Sequence, residues 1–225
     1  MLLTRNKKQE TRNSVWVKIC GTTNLEDAQA AAEAGADALG FVFAESPRRV
    51  EPAMAAEIVR TLPERVDKVG VFVNETTAYI GKIVREAGLT AVQLHGDESP
   101  EMAHQVASGG VKVFKAIPVR SDFADRMMAF AERGGVEALL LDTAAALRGG
   151  TGLSFDWGTI AASMPANSGT RVIVAGGLTP LNVSNAIRML HPWGVDVVSG
   201  VEREPGKKDH EKVRAFVKAA KSCDL

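Results

Sequence analysis

Val15-Trp16-Val17-Lys18-Ile19-Cys20-Gly21 runs straight into Thr22-Thr23-Asn24 and an alanine-rich stretch from Leu25 to Ala34. The first run is too short for a helix and rich in β-branched residues, which predicts a buried strand over 16–20. Asn24 reads as the N-cap of a helix that Gly35 stops. Strand then helix makes one βα unit, with Cys20 delivered to the strand's C-terminal end. In α/β proteins that end is where sites are built.

Working outward, the same alternation recurs. Apolar runs at 37–43, 66–73, 90–94, 111–117, 137–141, 171–174 and 195–198 predict seven more strands. Helices are expected from Pro52, over 76–86, from Ser99, from Asp122, near Asp156-Trp157, over 180–190 and over 209–221. Such near-continuous apolar runs suit strands covered on both faces. Eight units predict an α/β fold, a single-domain (β/α)8 TIM barrel of the phosphate-binding type, over an open doubly wound sheet. No linker or low-complexity segment interrupts the chain, so residues 15–225 are expected to be one barrel domain. Residues 1–14 are polar and lack an apolar core segment, and are expected to be a flexible tail rather than a secretory signal.

Of 225 residues, 45% are hydrophobic, and 27 Lys+Arg balance 27 Asp+Glu to a formal net charge of zero. This balance gives no support to a nucleic-acid or membrane-surface partner, so an anion would be held by a few placed groups. Two cysteines, Cys20 and Cys223, make no disulfide framework and point to a reducing, cytoplasmic setting. No run approaches the roughly 20 apolar residues of a membrane span.

In a barrel the strand ends share one mouth. They bring together Cys20, Phe43 with Arg48, Asn74, Gln93 to Gly96, Lys115, Asp142, Gly176-Gly177 and Ser199 to Glu202. Cys20 is either a small core hydrophobe or a base or nucleophile. With His95 it falls short of a metal site, because no third ligand has suitable spacing. Asp142 ends an apolar run where a carboxyl group is costly, so it either caps the following loop or does chemistry. That loop, 143–152, is glycine-rich and suited to folding over a ligand. Glycines after strands seven and eight form either tight turns or a phosphate cradle of exposed N–H groups. Arg48 suits a planar carboxylate. Lys207-Lys208 reads as a solvated turn, and His104, His191 and His210 as structural or exposed.

In this order the motifs resemble the phosphoribosylanthranilate isomerase family of tryptophan biosynthesis. They are Val17-Lys18-Ile19-Cys20-Gly21, Gly40-Phe41-Val42-Phe43 with Ser46-Pro47-Arg48, and Gly70 to Asn74. Val92 to Gly96, Leu141-Asp142, Gly150-Thr151-Gly152 with Phe155-Asp156-Trp157, Ala175 to Leu178, Asp196 to Glu202 and Pro205 to Asp209 continue the series. The resemblance covers about residues 15–225 and implies a barrel without cofactor or metal, a monomer or homodimer acting on a small phosphoribosyl substrate. It implies an Amadori rearrangement of N-(5′-phosphoribosyl)anthranilate to 1-(2-carboxyphenylamino)-1-deoxyribulose 5-phosphate. In it Asp142 is the general acid, its pKa expected to be raised, and Cys20 the general base. Arg48 is expected to hold the anthranilate carboxylate, with Gln93 and His95 as further substrate-binding positions. Gly176, Gly177, Ser199 and Gly200 are expected to hold the phosphate. Thr22 stands where the family often has an apolar residue. The rivals are the histidine-pathway isomerase, to which the resemblance gives two aspartates, and an inactive phosphosugar-binding barrel.

Overall fold

Asn24, Thr76 and Ser99 each accept a hydrogen bond from the backbone N–H three residues on, starting helices where the sequence places caps. In the computed structural model, residues 14–143, 157–164 and 169–223 are described. The expected tail up to residue 13 and all of loop 143–152 beyond Thr143 lie outside them.

Eight parallel strands close on themselves: β1 (Trp16–Cys20), β2 (Ala38–Val42), β3 (Asp67–Phe72), β4 (Ala91–Leu94), β5 (Lys112–Pro118), β6 (Ala138–Asp142), β7 (Arg171–Ala175) and β8 (Gly194–Val197). Between them run α1 (Leu25–Glu33), α2 (Pro52–Thr61), α3 (Thr77–Ala87), α4 (Pro100–Ala107), α5 (Phe123–Arg133), α6 (Trp157–Ser163) and α7 (Val183–Leu190), with α8 (His210–Lys221) last. Closure is at β1, which pairs with β2 through Cys20↔Gly40 and with β8 through Lys18↔Asp196.

Alternation sorts the side chains into two layers. Val17, Ile19, Leu139, Leu141 and their equivalents face the helices and form the larger apolar cluster. Trp16, Ala38, Val69, Ala91, Phe114, Ala138, Leu140 and Ile173 fill the barrel. Trp16 stacks on Trp193 at 5.0 Å and meets Phe114 at 5.4 Å, so aromatic rings fill the end opposite the mouth.

Several expectations need correction. The helix after β7 starts at Val183, not Pro180, because the Asn182 side chain accepts from the Thr179 N–H and closes a separate turn first. A short 3-10 turn (Ser199–Val201) and a hairpin of β9 (Glu202–Glu204) and β10 (Lys207–Lys208) follow β8. In that hairpin Lys208 is buried, not solvated, since its backbone N–H and ammonium are both tied down. Lys115 does not face the mouth. It alternates with the inward Phe114 and Ala116 and points outward, onto Glu98 and the Phe130 ring.

Candidate active site

Strand alternation decides which groups share the mouth. Trp16 belongs to the interior cluster, so Lys18 and Cys20, two and four residues on, turn inward with it. Ala138 and Leu140 place Asp142 inward on β6, and Ala91 places Gln93 inward on β4. The thiol fits because β2 carries a glycine opposite: a Cβ on Gly40 would stand 2.5 Å from the Cys20 Sγ. Backbone approaches this closely only where a side chain is missing.

Below the thiol lies a charged group that was read only as part of an apolar strand. Lys18 is fully buried, and its ammonium donates to Asp196 Oδ1 at 2.9 Å and to Gln93 Oε1 at 2.8 Å. It also interacts electrostatically with the Cys20 thiol. Burial works against the Lys18 charge, but Asp196 and Cys20 outweigh it and hold its pKa above the ordinary value. Burial likewise pushes the Cys20 thiol up, with Lys18 opposing. A buried ion pair is often no more stable than an apolar pair of the same volume, by roughly 1–4 kcal/mol. Lys18 and Asp196 are therefore better explained by the thiol above them than by stability. Their signal in the sequence was a single charge inside each apolar strand, Val17-Lys18-Ile19 and Val195-Asp196-Val197.

From Gln93 the contacts continue across the barrel. Its Nε2 lies 2.7 Å from His95 Nδ1, and His95 Nε2 lies 3.3 Å from Asp142 Oδ2. Cys20, Lys18, Gln93, His95 and Asp142 thus form one chain of contacts from the first strand to the sixth. His95 and Asp142 remain partly exposed at its open end, with 34% and 27% of their side chains accessible. Gln93 is buried beneath them, with both ends of its amide engaged.

Arg48 sits on the same side as Cys20. Its Nε and Nη2 donate to the two oxygens of Glu202 at 2.8 and 2.6 Å. Lys208 joins the other end, donating to Glu202 Oε1 at 3.0 Å and to the Cys20 carbonyl at 2.6 Å. Burial raises the Glu202 carboxyl, yet Arg48 and Lys208 outweigh it and keep the group ionised below the usual carboxylate range. In the sequence Glu202 stands at a strand end with nothing to mark its partners. Opposite, Glu98 accepts from the Asn74 and Gly96 N–H groups, each at 2.9 Å, and pairs with Lys115. This fixes the turn carrying His95.

The four expected phosphate residues come together. Gly176 and Gly177 have φ of 88° and 67°, two consecutive positive values that glycine adopts without a Cβ penalty. A Cβ on Gly200 would collide with the Leu178 carbonyl oxygen, so the Ser199–Val201 turn packs directly on this loop. Thr143 ties the loop to β6, its single hydroxyl proton shared between the Ala175 and Gly176 carbonyls, each 2.8 Å away. The Thr22 hydroxyl is buried with no hydrogen-bond partner, in keeping with an apolar preference there. Among the described residues no group of three or more His, Cys, Asp or Glu side chains is arranged to hold a metal ion, and no helix is long and apolar enough to cross a membrane.

A sequence model of the N-(5′-phosphoribosyl)anthranilate (PRA) isomerase family matches residues 17–219. The N-(5′-phosphoribosyl)anthranilate isomerase of Myxococcus xanthus is 52% identical over 215 residues, covering 94% of this chain and 99% of its own. The crystal structure of phosphoribosyl anthranilate isomerase from Thermotoga maritima superposes with a TM-score of 0.80 at 42% identity, covering 92% of this chain and 98% of its own. A further crystal structure is of such an isomerase in complex with reduced 1-(o-carboxyphenylamino)-1-deoxyribulose 5-phosphate. It is similar at a TM-score of 0.78 and 40% identity, with 92% and 98% covered.

Proposed function

This chain belongs to the N-(5′-phosphoribosyl)anthranilate isomerase family of tryptophan biosynthesis, and from that premise we propose that Asp142 and Cys20 carry its aldose-to-ketose rearrangement as general acid and general base. The observation that carries this reading is the run of contacts from Lys18, electrostatically coupled to the Cys20 thiol, through Gln93 and His95 to the Asp142 carboxyl.

Asp142 gives its proton to the furanose ring oxygen. The C1′–O bond breaks as the anthranilate nitrogen's lone pair forms a protonated imine. That imine acidifies the C2′–H, and the Cys20 sulfur removes the proton. The released electron pair forms the C1′=C2′ bond and neutralises the nitrogen. The resulting enolamine loses its C2′ hydroxyl proton, gains one at C1′, and becomes the ketone. Gly176, Gly177, Ser199 and Gly200 bind the phosphate end, and His95 lines the sugar. Gln93 serves substrate binding from beneath, through His95. Glu202 occupies the Nε–Nη2 edge of Arg48, so the anthranilate carboxylate meets the edge that includes Nη1.

Turnover is read from the change in anthranilate fluorescence with substrate generated in situ, beside a parallel assay on the histidine-pathway phosphoribosyl amine. Rapid consumption of the first alone is expected; consumption of the second alone sinks the assignment. Arg48→Ala should raise KM for the anthranilate sugar by roughly tenfold or more, since a charge-assisted hydrogen bond contributes about 1.5–3 kcal/mol. Affinity for inorganic phosphate should fall by much less than KM rises, because Arg48 reaches the phosphate turn only through Glu202, which Lys208 still holds. Equal weakening of both ligands would show that Arg48 does not recognise the carboxylate end.

A further inference from the structure

The tautomer of His95 follows from the donor count along the chain of contacts. A lysine ammonium has three donors and no acceptor, so the Gln93 atom 2.8 Å from Lys18 Nζ has to be the carbonyl oxygen. The amide nitrogen is then the atom 2.7 Å from His95 Nδ1. An amide NH2 only donates, so Nδ1 accepts and carries no proton. The imidazole proton lies on Nε2, which faces Asp142 Oδ2 at 3.3 Å. Lys18 fixes the direction because it cannot turn elsewhere: it is fully buried and anchored on Asp196 at 2.9 Å.

We propose that Lys18 and Gln93 are positioning residues that hold His95 as the neutral imidazole protonated on Nε2, so that Asp142 receives a neutral donor and never an imidazolium. Protonating Nδ1 would set an N–H against the Gln93 NH2, two donors face to face. Among the described residues, the charged and titratable groups linked to His95 are Asp142 on β6 directly, and Lys18 on β1 and Asp196 on β8 through Gln93, with Asp97 two residues on in the same turn. Glu98 and Lys115 pair with each other behind the strand. A cation 3.3 Å from Asp142 would favour the carboxylate and strip the acid of the proton it has to deliver. This inference rests on the reading of Asp142 as the acid, and it gives one buried lysine two tasks: support of the thiolate and, through Gln93, restraint of the histidine.

The test is long-range 1H–15N NMR of the whole protein, with the His95 signals assigned from a His95→Asn variant. The parent should show a neutral ring protonated on Nε2 across neutral pH. Gln93→Glu supplies an acceptor where the amide donates, and should draw the ring proton onto Nδ1. The same variant should lower kcat by roughly tenfold or more while KM stays within a few-fold, a split expected when a group acts only in the transition state. A parent ring protonated on Nδ1 overturns the proposal, as does a Gln93→Glu protein whose His95 keeps the Nδ1 of its ring unprotonated. If Gln93→Glu does not fold, the parent spectrum alone decides. The spectrum involves no turnover, so it can fail or hold independently of the acid role of Asp142.

Discussion

Asp142→Asn is expected to lower kcat by about 10²- to 10⁴-fold, the usual contribution of a positioned acid or base, while KM and thermal stability change little. Asparagine keeps the shape of the carboxyl group and can still accept from His95 Nε2, so the variant removes the transferable proton and little else. The competing view of Asp142 as a loop cap predicts the reverse, a loss of stability with activity preserved. Steady-state kinetics beside a melting curve separates the two. A variant with near-parental kcat and a raised KM would leave Asp142 a binding group and end the acid assignment.

The barrel was legible because strands covered on both faces are apolar along their length and helix caps are chemically specific. Asn24, Thr76 and Ser99 sit where the side-chain cap bonds form, and eight repeated units leave few ways to pack. Strand ends were legible as a set for the same reason. What escaped was the direction and partner of each polar side chain. Lys115 and Gln93 both interrupt apolar strands near the mouth, yet a register partner separates them: Gln93 stands opposite Phe114, inside the barrel, and Lys115 opposite Leu94, outside. Sequence spacing alone does not give that offset. Lys208 looked like one of two solvated lysines, but β9 and β10 fold it onto Glu202 and the Cys20 carbonyl.

These buried charges are concentrated where the reaction is proposed to occur. Lys18 with Asp196 lies under Cys20, Glu202 with Lys208 and Arg48 lies beside it, and Glu98 with Lys115 lies behind His95. Removing one partner of such a pair typically costs about 3–5 kcal/mol, much of it from the charge left unpaired. Variants of Lys18 or Glu98 therefore confound stability with catalysis. Asp142, Gln93→Glu and Cys20 are the cleaner probes.

Cys20→Ala should abolish at least about 99% of kcat, on the same scale as loss of the acid, and the pH profile of the parent should identify the base as a thiol. Burial raises the Cys20 pKa, with Lys18 opposing but not overcoming it. The competent enzyme needs Cys20 without its proton and Asp142 with one. When the base is the weaker acid of the pair, that form holds as many protons as the dominant form, in which the thiol is protonated and the carboxyl is not. Its share therefore does not vary with pH between the two macroscopic values. The expected kcat/KM is flat across neutrality, falls as pH rises through the raised thiol value, where the pair loses the one proton it shares, and falls in acid, where the carboxyl takes up a second. A thiol of lower pKa than its acid would instead give activity climbing about tenfold per pH unit through the thiol's value. A climb of that kind between about pH 7 and 9 would overturn the raised thiol value, and a Cys20→Ala protein with parental turnover would remove the buried thiol from the reaction.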